Sequence, residues 1–300
     1  MIVQFLALLK ILLMVPIYFV KHRFVHPHNP PTEIKNVGLF HVPAHANGGG
    51  EKVLWAIVNQ LIEEKKYNIY IYSDIIKNKT DMIGKVNRFF GYQINESDFN
   101  LVELDSGYLT YSDHWTVFSR YLEAFSHYLV AFEALDKFMP DIFVETFTAH
   151  FSTPAVYLLN PNLKVITYVH YPFTSPHVIE EYLNTTTDSA KGWKTRVFAG
   201  CKLVYHYGLY IIYKAMGLFS DVCYTNSSWT QRHMVGNWGE SKCQVLYPPC
   251  NVDEFWSQEF ASKKRVVVSL GQYRTEKRHD IQLDMMKYHL EKHPDTDVVF

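Results

Sequence analysis

An open α/β fold on a parallel sheet is the class this sequence predicts, and three observations predict it. Apolar runs alternate with segments of helical period along most of the chain. Several runs, among them "DIFVET" (141–146) and "KVITYV" (164–169), are apolar at consecutive positions. That is the pattern of strands covered on both faces. Near the start, "NVGLF" (36–40) leads through "HVPAHANGGGEKVLW" (41–55), so a strand, a glycine turn and a helix follow one another.

In chain order, the first strand is expected over 37–41. A helix over 51–65 follows, with Leu54, Ile57, Val58 and Leu61 on one face. "NIYIYS" (68–73) returns as a strand. A long aromatic helix is expected over 114–138, stopping before Pro140. The runs at 141–146, 164–169, 221–226 and 265–270 supply four more strands. A parallel sheet of this kind binds ligands outside the carboxyl ends of its strands. "YPPCNVDEF" (247–255) reads as a rigid extended segment, which puts a domain boundary near residue 260. Residues 261–300 read as the opening of a second domain, too short to bury a core of its own.

With 48% hydrophobic and 20% charged residues, the chain has the composition of a globular domain and not of a disordered one. A net charge of −1 provides no basic field for nucleic acid. Aromatic residues reach 16%, which fits either a large aromatic core or a surface that meets membranes or sugars. Cys201, Cys223, Cys243 and Cys250 form no C-x-x-C pair and read as reduced thiols. Sequons at Asn78, Asn95, Asn184 and Asn226 matter only if the chain faces a lumen.

Residues 1–23 read as a membrane anchor. The stretch from Ile2 to Val20 is apolar except for Gln4 and Lys10 and is near bilayer-spanning length. It lacks a small-residue cleavage site, so an uncleaved anchor is the reading. The flank Lys21–Arg23 assigns the rest of the chain to the cytoplasmic side. Residues 201–219 combine tyrosine, lysine and apolar bulk, as an interfacial helix does; an ordinary core helix remains the alternative.

Three places carry chemistry. In "SLGQYRTEKRHD" (269–280), a strand ends, Gly271 turns, and Arg274 and Lys277 stand beside a helix expected to start near Glu276. Two cations there suit a diphosphate, with a solvated charged face as the alternative. "YVHYP" puts His170 at the end of a buried strand, where an imidazole reaches a crevice, although a lone histidine among 15 is more often structural. Gly48, Gly49 and Gly50 with Glu51 match neither a P-loop nor G-x-G-x-x-G, yet their backbone suits close approach to a phosphate or a sugar. The "DTD" at 295–297 reads as an acidic turn rather than a metal site.

Five segments together resemble one family. "HANGGGEKVLW", "YVHYP", "TNSSWT", "YPPCNVDEF" and "SLGQYRTEK" occur in the order and at the separations found in GDP-mannose-dependent α-1,2-mannosyltransferases of dolichol-linked oligosaccharide synthesis. The resemblance runs from about Val37 to Lys277, and the apolar N-terminus is similar too. It implies a two-domain GT-B fold at the cytosolic face of the endoplasmic reticulum membrane. The first domain would receive a dolichol-diphosphate oligosaccharide and the second would bind GDP-mannose. Arg274, Lys277 and Gly271 would hold the donor diphosphate, so that no metal or other cofactor is required. Gly49, Gly50 and His170 would meet the transferred mannose, and Gly48, Glu51 and Asn226 would support the acceptor side. Other glycosyltransferases of the pathway would be partners, and nucleic acid would not.

Transfer in this family retains the anomeric configuration. The paired carboxylates that retaining glycosidases use are not recognisable in the sequence, which leaves a same-face route. The family also carries two glutamates eight positions apart in its second domain, and no such pair occurs here. These 300 residues alone are therefore expected to transfer little or no sugar. Two alternatives stay open: another lipid-linked transferase with a different sugar nucleotide, or a membrane-anchored acceptor-binding scaffold.

Overall fold

Successive side chains of a strand point to opposite faces, so a strand apolar at every position needs cover on both sides. Leu39 and Phe40 show it: Leu39 packs toward one helical layer with Leu54, Trp55, Val58, Met82 and Val86, and Phe40 toward the other with Phe132, Leu135, Val156 and Leu159. The computed structural model describes residues 2–25, 34–188, 190–250, 269, 271, 273 and 277–293. The chain divides into two units between Cys250 and Asn251.

The first unit opens with α1 (Ile2–Val20) and one π turn, Lys21–Val25. There follow β1 (Lys35–Phe40), α2 (Gly49–Glu64), β2 (Tyr67–Asp74), α3 (Lys79–Phe90) and β3 (Asn100–Leu104). Next come α4 (Ser119–Lys137), β4 (Ile142–Glu145), α5 (Thr153–Leu159), β5 (Lys164–Val169), α6 (Pro176–Thr187) and α7 (Trp193–Met216). β6 (Val222–Thr225), α8 (Ser228–Trp238) and β7 (Cys243–Val245) complete it. The strands form one parallel sheet in the order β3-β2-β1-β4-β5-β6-β7. Register sets Leu39 opposite Ile71 and Val144, and Val144 opposite Ile166. Winding reverses between β1 and β4, and that is where such sheets open a ligand crevice.

Several boundaries differ from the sequence reading. The long aromatic helix starts at Ser119 rather than 114, because Phe118 adopts a left-handed backbone, φ 48°. The residues before it form 3-10 turns, Gly107–Thr110 and Ser112–His114, held by Trp115, whose Nε1–H donates to the Leu109 carbonyl at 3.0 Å. α7 begins at Trp193 rather than 201 and ends at Met216, before a 3-10 turn at Gly217–Phe219. A Cβ on Gly217 would lie 2.6 Å from Trp238 Cγ, so this turn needs a glycine to pass the indole. β3 and β7 are strands that the apolar-run pattern missed. They are short, at the sheet's edges, and β3 carries Glu103.

In the second unit, α9 (His279–Lys292) starts after Arg278, which is left-handed at φ 49°; this places the helix start later than Glu276. The expected strand at 265–270, apart from Ser269, lies outside the described residues, as do Arg274 and the acidic turn 295–297.

Candidate functional site

The carboxyl ends of β1, β4, β5 and β6 converge with the first turn of α2. The chain leaves β1 into His41, β4 into Thr146, β5 into His170 and β6 into Asn226. α2 begins two residues before Glu51, so Gly49 and Gly50 are its first helical residues and Gly48 is its cap. The local reason is Glu51. Its Oε2 accepts the Gly48 N–H at 2.7 Å, the reach-back half of a capping box. A Cβ on Gly48 would stand 2.6 Å from that oxygen, so only glycine leaves room for the carboxylate.

Glu51 continues into a relay. Its Oε1 lies 3.2 Å from His41 Nε2, and His41 Nδ1 lies 2.9 Å from Thr146 Oγ1. A carboxylate only accepts, so His41 donates from Nε2 to Glu51, while its Nδ1 shares a hydrogen bond with the Thr146 hydroxyl. The Thr146 carbonyl in turn accepts from His170 Nε2 at 3.0 Å. Burial opposes ionisation of Glu51, but the bonds from His41 and Gly48 outweigh it and hold the carboxyl below its usual range. Burial pulls the His170 imidazole below its usual value, and the Thr146 carbonyl only partly offsets that. His170 therefore favours the neutral form, with Nδ1 as its acceptor.

Gly50 packs against both rings. A Cβ there would lie 3.5 Å from His170 Nε2 and 3.8 Å from His41 Cε1. Gly49 faces open space, with no atom within 4 Å of its virtual Cβ. The first turn of α2 thus presents a bare backbone, with N–H groups that have no helical partner, beside two imidazoles. Such a surface leaves those N–H groups open to close approach.

Asn226 works from the far side. Its Oδ1 accepts Thr230 Oγ1–H at 2.7 Å and Ser227 Oγ–H at 3.1 Å, while Ser227 caps α8. Thr230 Oγ1 lies 3.5 Å from the His170 carbonyl. At the rim, the exposed rings of Tyr171 and Trp229 stack with centroids 5.4 Å apart. Below the site, buried Glu145 accepts Phe147 N–H at 2.6 Å, Ala149 N–H at 2.8 Å and His150 Nδ1 at 2.5 Å. These bonds fix the loop that carries Thr146, in which Thr148 is left-handed at φ 72°.

The structure therefore brings together Gly48, Gly49, Gly50, Glu51 and His170, with Asn226 one contact away. Sequence reasoning missed His41, Thr146, Tyr171 and Trp229. Tyr171 and Trp229 lie inside "YVHYP" and "TNSSWT", which is the signal that points to them. In the second unit, Gly271 and Lys277 lie side by side: a Cβ on Gly271 would meet Lys277 Cγ at 3.8 Å. Arg274, the third residue expected on the donor side, lies outside the described residues. Among the described residues, no three His, Cys, Asp or Glu side chains are grouped to hold a metal ion.

Comparison with known proteins adds the family. A family model described as "ALG11 mannosyltransferase N-terminus" matches residues 34–238. Curated relatives named GDP-Man:Man(3)GlcNAc(2)-PP-Dol alpha-1,2-mannosyltransferase include the Kluyveromyces lactis protein, 28% identical over 93% of this chain and 49% of that protein. The Candida glabrata protein is 34% identical over 81% of this chain and 48% of its own length, and the human protein is 30% identical over 82% and 52%. Among solved structures, the lipopolysaccharide outer core galactosyltransferase WaaB superposes with a TM-score of 0.38 at 10% identity, covering 73% of this chain and 47% of that one. The chain spans about half the length of the curated relatives it matches. With a family match over more than half of its residues, the chain belongs to the ALG11 mannosyltransferase N-terminal family.

Proposed function

We propose that this chain is the acceptor-side half of a retaining glycosyltransferase. The reaction is transfer of mannose from GDP-mannose, in α-1,2 linkage, to a dolichol-diphosphate oligosaccharide. The open first turn of α2 at Gly49, set beside His170 at the strand ends, is the observation that supports this reading. Membership of the family and the printed names of the relatives supply the substrates.

In the step proposed, the bond between mannose C1 and the donor phosphate oxygen breaks. The acceptor's 2-hydroxyl oxygen forms the new bond on the same face, and its proton passes to the departing diphosphate. Lys277, with Arg274 and the Gly271 turn, meets the charge growing on GDP, so a metal is not needed. His170 and the Gly49–Gly50 backbone hold the mannose.

The protein works at the cytosolic face of the endoplasmic reticulum. α1, long and apolar enough by length and composition to cross a membrane, attaches it there. α7 assists with the exposed face that bears Trp193, Val197, Val204 and Ile211. Other transferases of the pathway are partners at that surface.

The test is a donor comparison with the full-length protein in microsomes. Mannose transfer from GDP-mannose, insensitive to EDTA and without turnover of UDP-sugars, is expected. Turnover of a UDP-sugar, or activity that requires a divalent metal, contradicts the proposal.

A further inference from the structure

On the β2 side of the crevice, a second polar cluster closes over the strand ends. Pairing of β1 with β2 runs past both strands: the Asp74 N–H donates to the Val42 carbonyl at 3.0 Å, and the Ser73 hydroxyl donates to the same oxygen at 2.7 Å. This sets the Asp74 carboxylate against the loop between β1 and α2. His45 Nδ1, from that loop, lies 3.1 Å from Asp74 Oδ1, and the Tyr111 hydroxyl donates to Asp74 Oδ2 at 2.7 Å. A Cβ on Gly107 would lie 3.0 Å from Asp74 Cβ, so the turn that brings Tyr111 to Asp74 needs a glycine at that point.

The cluster is continuous with the glycine turn. The Tyr111 ring lies 6.3 Å from that of Phe147, which lies 5.6 Å from the ring of His41, the partner of Glu51. Burial, the bond to Asp74 and the charges of Asp74 and Glu51 all push the Tyr111 hydroxyl's pKa up, so it stays protonated and donates. His45, Asp74 and Tyr111 thus stand on the β2 side of the first turn of α2, and His170 stands on the β5 side.

Holding the loop does not require this carboxylate. Trp55 Nε1–H donates to the Ala44 carbonyl at 3.1 Å and the Ala46 N–H to the Pro43 carbonyl at 2.8 Å. A contact with His45, whose side chain is 47% exposed, adds little stability. What Asp74 and His45 offer together is spare acceptor capacity beside an imidazole. A carboxylate has about four lone-pair sites. His45 takes one on Oδ1 and Tyr111 one on Oδ2, while the Ser73 hydroxyl, 3.4 Å from Oδ1, is committed to Val42. Adjacent hydroxyls of a sugar ring fit that pattern, because each both donates and accepts. A phosphate does not fit: Asp74 and Glu51 are both acidic, and the Glu51 carboxyl is held below its usual range.

We propose that Asp74 and His45 form the subsite for the sugar ring that receives the mannose, so that the neutral carbohydrate end of the acceptor lies over the ends of β1 and β2 and its diphosphate does not. This rests on the transfer reaction proposed above. Asp74 accepts from adjacent hydroxyls of that ring, His45 pairs with one of them, and Tyr111 holds the carboxylate in place.

The test is steady-state mannose transfer by the full-length protein, each substrate varied in turn, for wild type, Asp74→Asn and His45→Ala, with thermal unfolding recorded alongside. Asp74→Asn should raise KM for the dolichol-diphosphate oligosaccharide about tenfold or more, and His45→Ala about threefold, as expected for lost hydrogen bonds to a charged and to a neutral group. KM for GDP-mannose and the unfolding temperature should stay at their wild-type values. A polyprenyl diphosphate without sugar, added as an inhibitor, should act equally on wild type and Asp74→Asn. Unchanged acceptor KM in the folded variants overturns the subsite, as does a rise confined to the donor or a fall in kcat alone. Stronger inhibition of Asp74→Asn by the sugar-free diphosphate overturns it too, because the diphosphate would then lie at the carboxylate. If Asp74→Asn does not fold, His45→Ala decides, since that side chain is half exposed. A wild-type protein that transfers no mannose from GDP-mannose to this acceptor overturns the transfer reaction and the subsite with it.

Discussion

His170 donates its Nε2–H to the backbone carbonyl of Thr146 at 3.0 Å, across the carboxyl ends of two neighbouring strands. This one bond sets the ring's tautomer and leaves Nδ1 as its acceptor. Through Thr146 it also ties His170 to His41, Glu51 and the cap of α2. The predictions concern that connected set and what surrounds it.

Gly48→Ala tests the cap. The added methyl would stand 2.6 Å from Glu51 Oε2, so the carboxylate must shift away from the Gly48 N–H and His41. Loss of a cap and of a buried hydrogen bond costs about 1–2 kcal/mol. The urea unfolding midpoint should fall accordingly. A midpoint equal to wild type would mean that the carboxylate is not held there.

Acid should destabilise the fold well above the carboxylate range. His127 is fully buried on α4, and desolvation pulls its pKa down to about 4, while its Nε2 lies 3.3 Å from the Thr110 carbonyl. An unfolded histidine titrates near 6.5. Between those values the unfolded chain binds the extra proton, so stability is complete above about 6.5 and is lost as the pH falls toward 4. The loss from this group between pH 7.5 and 5 is about 2 kcal/mol. His170, shifted in the same direction, adds to it. Urea titrations at the two pH values should show the loss in wild type and a smaller one in His127→Gln. Equal pH dependence in the two proteins would contradict the assignment.

The stacked pair Tyr171–Trp229 at the rim offers a flat apolar face to a sugar. Trp229→Ala should raise KM for the lipid-linked oligosaccharide about tenfold, since loss of one aromatic stacking partner is worth about 1 kcal/mol or somewhat more. KM for GDP-mannose should stay unchanged. A rise in the donor KM alone would assign the pair to the other substrate.

Much of this architecture is legible in the sequence. β1, β2, β4 and β5 are found because both faces of each are apolar, and β6 by its short apolar run, patterns that survive without any knowledge of neighbours. β3 and β7 are not, since an edge strand has less to bury: Glu103 sits in one and only three residues make the other. The site divides the same way. Gly48–Glu51 and His170 stand out by composition and by place at strand ends. His41 and Thr146 do not, because they are 105 residues apart and become partners only when β1 and β4 pair. The start of α4 is hidden for another reason: Phe118 adopts a left-handed backbone that an aromatic residue rarely takes, and no local pattern announces it.

The central claim is that the first turn of α2 faces the reacting sugar. Gly49→Val tests it most directly, because a side chain there meets no protein atom within 4 Å. The measurement is mannose transfer from GDP-mannose to the dolichol-diphosphate oligosaccharide by the full-length variant, with its thermal unfolding recorded alongside. The account predicts a folded protein, within about 1 kcal/mol of wild type, that transfers no mannose. Wild-type transfer by the folded variant would contradict it.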